Sequence, residues 1–182
     1  MTIVWRRLDV PGHDACRLRR VSDGWRLSGT AVVSAERPGV LSYEVECDTT
    51  WRTRTARVTG WLGDDDVAIA VVATPDGRWR FNDREYPAVA GCLDLDFEFT
   101  PATNVLALRR LALVVGDEAD APAASLSFPE LRPQRIEQRY RRLDATRYDY
   151  RAPGVGYAAT LEVDDVGFVV RYPGLWEKET TE

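Results

Sequence analysis

The chain has 182 residues, of which 45% are hydrophobic and 29% are charged, and its formal net charge is −5. This length favours one domain with a sizeable core, and this composition excludes a disordered, collagenous or low-complexity chain. The negative charge disfavours a nucleic-acid partner, because binding phosphates requires a positive surface.

Apolar and polar residues alternate with a period of two along the whole chain, which predicts β-strands. Turn sequences rich in Asp, Pro and Gly, such as those at 22–24 and 75–77, separate the alternating runs. Neighbouring strands should therefore pair as antiparallel hairpins. In chain order we expect strands near residues 3–9, 15–21, 24–34, 41–48, 52–62, 67–73, 92–99, 109–115, 122–128, 134–143, 146–151, 156–163 and 166–172.

These elements predict a mainly all-β fold. About a dozen strands without βαβ alternation should form an antiparallel sheet. Such a sheet should curl into a barrel or split into a sandwich, because either arrangement protects the edge strands. Residues 101–108 fit either a helical turn or an irregular connection. No linker rich in Pro, Gly or Ser divides the chain, so we expect a single β domain over residues 1–182 with a frayed tail at 177–182.

The sequence shows neither a membrane-spanning segment nor a secretory signal. The longest apolar run, residues 67–73, is far shorter than the roughly 20 residues that cross a bilayer. The amino terminus lacks the charged and apolar regions of a signal peptide, so we expect a cytoplasmic protein. Reduced thiols at Cys16, Cys47 and Cys92 fit that location.

His13 and the three cysteines could in principle form a zinc site with Cys₃His ligands. The cysteines fall on separate predicted strands and not in closely spaced pairs, so we expect buried thiols and no metal. A nucleophilic mechanism would have to use His13, but the sequence contains no nucleophile elbow. No glycine-rich nucleotide loop is present either, so we predict no cofactor.

An acidic row lies on the strand predicted at 92–99. Asp94, Asp96 and Glu98 share one face, with about 6.6 Å between successive members. That spacing overlaps the separation of acid and base in an inverting glycosidase, so glycosyl hydrolysis stays open. We favour the alternative, a solvent-facing acidic row opposite an apolar face. The acidic run at 64–66 is interpreted as a solvated turn, since cation sites need ligands from several segments.

The strand predicted at 52–62 has no clean apolar face. Arg52 and Arg54 share one side of it, and Arg57 and Trp61 share the other. Such a strand is either an exposed edge or the lining of a wet cavity. In a cavity, Arg and Trp suit sugar or phosphate head groups through hydrogen bonds and stacking.

Several short motifs together carry a resemblance to a known family. They are Trp-Arg at 51–52, Gly-Cys-Leu-Asp-Leu-Asp at 91–96 leading into Thr-Pro-Ala-Thr-Asn at 100–104, Arg-Arg-Leu-Ala-Leu at 109–113, Gln-Arg-Tyr-Arg-Arg-Leu at 138–143, Leu-Glu-Val-Asp at 161–164 and Tyr-Pro-Gly-Leu at 172–175. With them the chain resembles the putative glycolipid-binding family of bacterial proteins over nearly its whole length. The family pattern commonly ends with Phe after Tyr-Pro-Gly-Leu, and Trp176 keeps an aromatic ring there.

The resemblance implies a long, strongly curved antiparallel sheet that forms a half-barrel or roll, with at most one or two short helical turns. In outline this is similar to bacterial carriers that shelter lipids in a hydrophobic trough, and it implies no catalytic residues. We therefore predict non-catalytic binding of an amphiphilic ligand such as a glycolipid. Acyl chains would lie on the concave apolar face, and the polar head would lie near Arg and Trp side chains. The expected ligand-binding residues are Trp51, Arg52, Trp61, Asn104, Arg139, Tyr140 and Arg141.

Two other functions fit the same sequence. One is a hydrolase that cleaves a glycosyl or acyl bond through Asp94, Asp96 or His13. The other is a protein-interaction module without a small ligand, whose exposed sheet face would pair with a second copy as a homodimer. Nothing in the sequence requires catalysis, so we favour a binding protein over an enzyme.

Overall fold

The computed structural model describes residues 1–180, most of which lie in β-strands. The strands are β1 (Thr2–Arg7), β2 (Gly12–Val21), β3 (Gly24–Val33), β4 (Gly39–Asp48), β5 (Thr53–Leu62), β6 (Asp65–Ala73), β7 (Trp79–Phe81), β8 (Arg84–Glu85), β9 (Asp94–Phe97), β10 (Glu118–Asp120), β11 (Ala123–Leu126), β12 (Pro133–Ile136), β13 (Arg139–Arg142), β14 (Arg147–Ala152), β15 (Tyr157–Val163), β16 (Val169–Tyr172) and β17 (Trp176–Lys178). One α-helix, α1 (Asn104–Leu111), and two 3₁₀ turns, Pro87–Val89 and Pro153–Val155, complete the described elements. None of these helices has the length and apolar character of a membrane span.

Fourteen strands form one antiparallel sheet with the order β10-β13-β14-β15-β16-β17-β1-β2-β3-β4-β5-β6-β7-β8. The sheet is not closed, because β10 and β8 are its two edges. A second sheet has three strands in the order β12-β11-β9, with β11 parallel to β9. The predicted fold class, a long antiparallel sheet that stays open as a half-barrel, is confirmed.

The alternation in β4 shows how the sequence forms this sheet. Leu41, Tyr43 and Val45 are buried, whereas Ser42 and Glu44 between them face outward. The strand pairs with β3 and β5 on its two sides, so its backbone groups are used in both ladders. One buried face and one solvated face are what an antiparallel sheet around a core requires.

The chain itself fills the concave side of the central strands. Tyr43 of β4 lies edge-on to Phe97 and to Phe99, with ring centroids 6.0 Å apart in both pairs. Leu95 and the inward side chains of the central strands belong to the same buried cluster. The resemblance implied an open apolar trough on this side of the sheet. No such trough is present over this described part of the sheet, because β9 and the segment after it cover the central strands.

Two of the predicted strands need correction. The strand predicted at 109–115 is wrong, since α1 continues to Leu111 and buries Val105 and Leu106 against the sheet. The strand predicted at 134–143 is two strands in different sheets, β12 and β13. The break between them places the Gln138 side chain in the interior. The backbone carbonyl of Gln138 accepts a hydrogen bond from the backbone amide of Ala121.

The predicted tail at 177–182 is also partly wrong. Glu177 and Lys178 belong to β17, which pairs with β1 and β16 and so joins the two halves of the large sheet. The Glu179 amide donates a further hydrogen bond to the Val4 carbonyl. Residues 181–182 lie outside the described residues.

The faces of β5 differ from the predicted ones as well. A register shift opposite Glu46 and Cys47 interrupts the alternation, so that Thr53, Ala56 and Val58 all point inward. A bulge of this kind adds one residue to the strand and exchanges the two faces. The inner face of β5 is therefore apolar beyond the bulge, and its arginines lie outside.

Candidate functional site

A cleft of about 300 Å³ opens where β9 and the start of α1 approach strands β14 to β16. β9 and the residues after it supply Asp96, Glu98 and Thr100, and α1 supplies Asn104. Its volume is at the lower end of the range for small-molecule sites. The other lining residues are Arg7, Phe97, Phe128, Ile136, Tyr150, Ala152, Val155, Tyr157, Tyr172, Leu175 and Trp176.

Three tyrosines form one wall of the cleft. The ring centroids of Tyr150, Tyr157 and Tyr172 are 5.4 to 6.1 Å apart, in tilted and edge-to-face pairs. The Tyr157 hydroxyl donates a 2.7 Å hydrogen bond to the Pro173 carbonyl, which fixes that ring. Burial raises the pKa of Tyr150 and of Tyr172 above the usual value, so both phenols stay protonated at neutral pH.

Two carboxyl groups face this wall. Asp96 accepts hydrogen bonds from the hydroxyls of Thr103, at 3.1 Å, and Ser125, at 3.4 Å. Glu98 accepts from the Gln134 side-chain amide at 2.7 Å and from the backbone amide of Phe128 at 3.1 Å. All of these donors are uncharged.

Burial raises the pKa of Asp96 to about 6, and the nearby charge of Glu98 adds to this effect. The hydrogen bond from Thr103 acts in the opposite direction but is weaker than the burial. The favoured prediction of a solvent-facing acidic row is therefore wrong for Asp96, which is 9% exposed, and for Asp94, which is 1% exposed. β11 pairs with β9, and α1 packs on β9, so together they exclude water from these two side chains. The alternation within a single strand cannot predict that other elements will cover it.

Asp94 differs from Asp96 and Glu98 because it forms an ion pair with an arginine. The guanidinium of Arg110 donates two hydrogen bonds to it, at 2.8 and 2.6 Å, in a bidentate pair. The Arg110 side chain is 16% exposed, so the pair is mostly removed from water. Asp94 thus anchors the end of α1 to β9 and does not line the cleft.

Asn104 connects the cleft to the interior. Its side-chain amide donates a 2.9 Å hydrogen bond to the Tyr140 hydroxyl, which in turn donates to the Gln138 side-chain oxygen at 3.3 Å. Tyr140 is fully buried, so it lies behind Asn104 and not at the cleft surface. Two of the residues predicted at the site are therefore brought together here, and only Asn104 lines the cleft.

Arg7 lies at the other end of the cleft. Its guanidinium stacks between the rings of Phe128 and Trp176, 5.1 and 5.4 Å from their centroids. Nε and Nη2 donate to the two oxygens of Asp9 at 2.7 and 2.9 Å. Among the described residues, its Nη1 has no hydrogen-bond partner, although it is buried. The charge of Arg7 is thus already balanced, while one of its donors is still available.

Arg139 and Arg141 lie on the outer face of the sheet, on either side of the inward Tyr140. Alternate residues of a strand point in opposite directions, so these arginines cannot reach the cleft while Tyr140 is buried. Arg139 forms an ion pair with Asp120 instead, at 2.6 Å.

Trp51 and Arg52 lie in the turn before β5, away from the cleft. Trp51 has φ +69° and stacks on Trp25 with centroids 4.4 Å apart. The guanidinium of Arg109 lies 5.5 Å from the Trp51 ring centroid, so the tryptophan connects this turn to α1. Arg52 is exposed.

Trp61 is 44% exposed on the outer face of β5. Six of the seven residues predicted at the site therefore do not line the cleft: Trp51, Arg52, Trp61, Arg139, Tyr140 and Arg141.

The cysteines and His13 do not form a site together. Cys16, Cys47 and Cys92 are free and buried, and burial raises the pKa of Cys47 to about 12 and that of Cys92 to about 11. The His13 ring lies 3.1 Å from the Glu179 carboxylate at the protein surface. Within residues 1–180, no group of three metal-ligating side chains converges.

Sequence reasoning missed most of the cleft. Tyr148 and Tyr150 alternate with charged residues in the strand predicted at 146–151, which signals an inward aromatic pair. Tyr157 and Tyr172 are far apart in the chain, and only the pairing of β14, β15 and β16 brings them together.

Comparisons with known proteins agree with this fold. The profile of the family described as putative glycolipid-binding matches residues 2–178. A crystal structure of a DUF1089 family protein from Pseudomonas aeruginosa superposes with a TM-score of 0.79 and 32% identity, over 90% of this chain and 91% of that chain. No curated protein matches the sequence.

Proposed function

This chain belongs to the putative glycolipid-binding family, and we propose that it binds the polar head of an amphiphile such as a glycolipid in the cleft between β9, α1 and β14 to β16. The observation that carries the proposal is the pairing of an aromatic wall with hydrogen-bonding carboxyl groups in one cleft. Sugars present apolar C–H faces and many hydroxyl donors, which match aromatic rings and carboxylates respectively. Asn104 and Thr100 add polar groups between the two walls.

The size of the cleft sets what it holds. A volume of about 300 Å³ suits one sugar-sized group and not a complete lipid. Val155, which is 57% exposed, and Leu175 also line the cleft. Acyl chains that leave the cleft across these two apolar side chains would remove apolar surface from water, which favours this path.

Native mass spectrometry of the freshly purified protein, followed by organic extraction of the same sample, tests this function. We expect an additional mass that matches an extracted amphiphile. Val155→Asp should lower the occupancy, because it places a charge where acyl chains would lie. Val115→Asp is the matched control, since Val115 is 60% exposed and does not line the cleft. An unliganded mass in a preparation from the native host, with no lipid recovered, would contradict the proposal.

The carboxyl pair favours glycosyl hydrolysis as a second candidate. Asp96 and Glu98 both line the cleft, and the Ser125 hydroxyl lies 3.4 Å from the Asp96 carboxyl and 3.5 Å from that of Glu98, so the two groups are close enough to act on one glycosidic bond. A pKa of about 6 leaves Asp96 partly protonated in weak acid, as a general acid requires. A panel of fluorogenic glycosides tests this candidate. Turnover that is lost in Asp96→Asn would support it, and no turnover by the wild-type protein would reject it.

A further inference from the structure

We infer that the cleft selects a head group with a positive charge, such as an amino sugar, over the equivalent neutral sugar, and that it discriminates against an anionic one. This inference rests on the proposed function and specifies its ligand class. It follows from which charges in and around the cleft are balanced and which are not.

The three acidic residues of the row differ in their partners. Arg110 neutralises Asp94 through two hydrogen bonds. Among the described residues, Asp96 and Glu98 form no ion pair with any Arg, Lys or His, and their partners are hydroxyls and amides only. An ionised carboxylate has about four acceptor positions, so both groups can accept further hydrogen bonds from a ligand.

The positive groups near the cleft do not compensate for these two carboxylates. Arg7 is the only basic residue that lines the described cleft, and Asp9 balances its charge. α1 begins at Asn104, so its amino end contributes roughly half an elementary charge. Two carboxylates against about half a positive charge leave the cleft negative at neutral pH, where Asp96 is mostly ionised.

The tyrosine wall favours the same kind of ligand. Aromatic faces attract cations, and the effect is larger where water is partly excluded. Tyr150, Tyr157 and Tyr172 pack directly against one another, so a cation would lie on their cleft side and not between the rings. An ammonium group there can donate to Asp96 or Glu98, and charged hydrogen bonds are stronger than those of a hydroxyl.

The unpartnered Nη1 of Arg7 suggests the opposite preference but does not outweigh the carboxylates. An anion would gain one donor from a guanidinium that already has its counterion in Asp9. It would also meet two carboxylates without cations in a cleft of about 300 Å³. A neutral hydroxyl or carbonyl oxygen of the ligand can use Nη1 without that repulsion.

Three octyl glycosides that differ only at carbon 6 test the inference: octyl glucoside, its 6-amino-6-deoxy derivative and octyl glucuronide. Titration calorimetry near pH 7.5 and at low salt should give about tenfold tighter binding of the amine than of the neutral glucoside, which corresponds to one charge-assisted hydrogen bond. The glucuronide should bind about tenfold more weakly than the neutral compound. Added salt should reduce both differences.

Glu98→Gln should remove most of the preference for the amine, measured as the ratio of the affinities for the amine and for octyl glucoside within the variant. Glu36→Gln is the control, because Glu36 is an exposed acidic residue away from the cleft. If Glu98→Gln does not fold, Asp96→Asn and the salt dependence of the wild-type protein test the same charge.

Equal affinities for the three glycosides would overturn the charge preference and leave the proposed function standing. Tightest binding of the glucuronide would also overturn it and would identify Arg7 as an anion contact. If none of the three binds, the proposed function itself fails.

Discussion

The phenol of Tyr43 donates a 2.8 Å hydrogen bond to the carboxylate of Asp14, and both side chains are buried. The hydroxyl of Thr100 donates to the same carboxylate oxygen. These contacts join β2 and β4 to the segment that enters α1, and Thr100 lines the cleft. The polar cluster thus supports the cleft from inside the core.

Gly29 makes room for this cluster. A Cβ at Gly29 would lie 2.3 Å from the Tyr43 hydroxyl oxygen and 2.7 Å from the Ala15 carbonyl oxygen. Gly29→Ala should therefore lower the free energy of unfolding by about 1–3 kcal/mol, as overpacking does. Urea denaturation measures the change. Gly154→Ala is the control because nothing lies within 4 Å of its Cβ, and equal stabilities of the two variants would contradict the prediction.

The stability of the protein should fall as pH rises from about 4 to about 6. Burial raises the pKa of Asp14 to about 6, while hydrogen bonds from Thr100 and Tyr43 limit the rise. The folded state then holds a proton that the unfolded state, with a carboxyl pKa near 3.8, has already lost. The stabilisation is complete below that lower value and is lost as pH passes the higher one.

Asp14→Asn should make this pH profile flatter, and urea unfolding at several pH values measures it. The groups around Asp14 are Tyr43, Thr100 and Cys16, all neutral in this range. Asp96 titrates in the same range, so part of the slope should persist in the variant. An unchanged slope would show that Asp14 is not the group that titrates.

Trp51→Ala should reduce stability more than ligand binding. The Trp51 ring lies between Trp25 and the guanidinium of Arg109, so its removal loosens the contact between the turn and α1. Large-to-small changes of packed aromatic residues cost about 3–5 kcal/mol when the ring is fully buried, and Trp51 should lose less because it is only partly buried. Thermal melting and octyl glucoside titration separate the two effects. Trp61→Ala, on the outer face of β5, should change neither.

Asn104→Leu should weaken octyl glucoside binding severalfold and also lower the free energy of unfolding by about 1 kcal/mol, because it removes a polar group of the cleft and the hydrogen bond that this group donates to the buried Tyr140 hydroxyl. Tyr140→Phe should lower stability by a similar amount but leave octyl glucoside binding largely intact, since Tyr140 does not line the cleft. This second change removes a buried hydroxyl that pairs with Asn104 and Gln138, at a cost of about 1 kcal/mol. If both variants lose affinity equally, Tyr140 acts on the ligand through Asn104.

The strands were largely predictable from the sequence, because a strand with one buried face has alternating apolar and polar residues. β4 is the clearest case, and the predicted range 41–48 lies within its observed range. Period-two reasoning failed where the chain departs from a regular strand. The register shift opposite Glu46 and Cys47 and the inward turn at Gln138 both break the alternation without any change in residue type.

The cleft was less predictable because it depends on long-range pairing. Asp96 was expected to face water, but Thr103, seven residues later, and Ser125, on a neighbouring strand, bury and bind it. Asn104 was identified through the family motif, whereas Tyr157 and Tyr172 carry no local signal of their position. Sequence periodicity shows which side of a strand is apolar, but it does not show which later segment will cover that side.

Photo-cross-linking tests the location of the ligand most directly. An octyl glucoside with a diazirine in its alkyl chain should label the tryptic peptides 152–171 and 172–178, which carry Val155, Tyr157 and Leu175 of the cleft. Excess unmodified octyl glucoside should suppress that labelling. Competed labelling confined instead to peptide 58–78, which carries Trp61 on the outer face of β5, would contradict the cleft as the binding site.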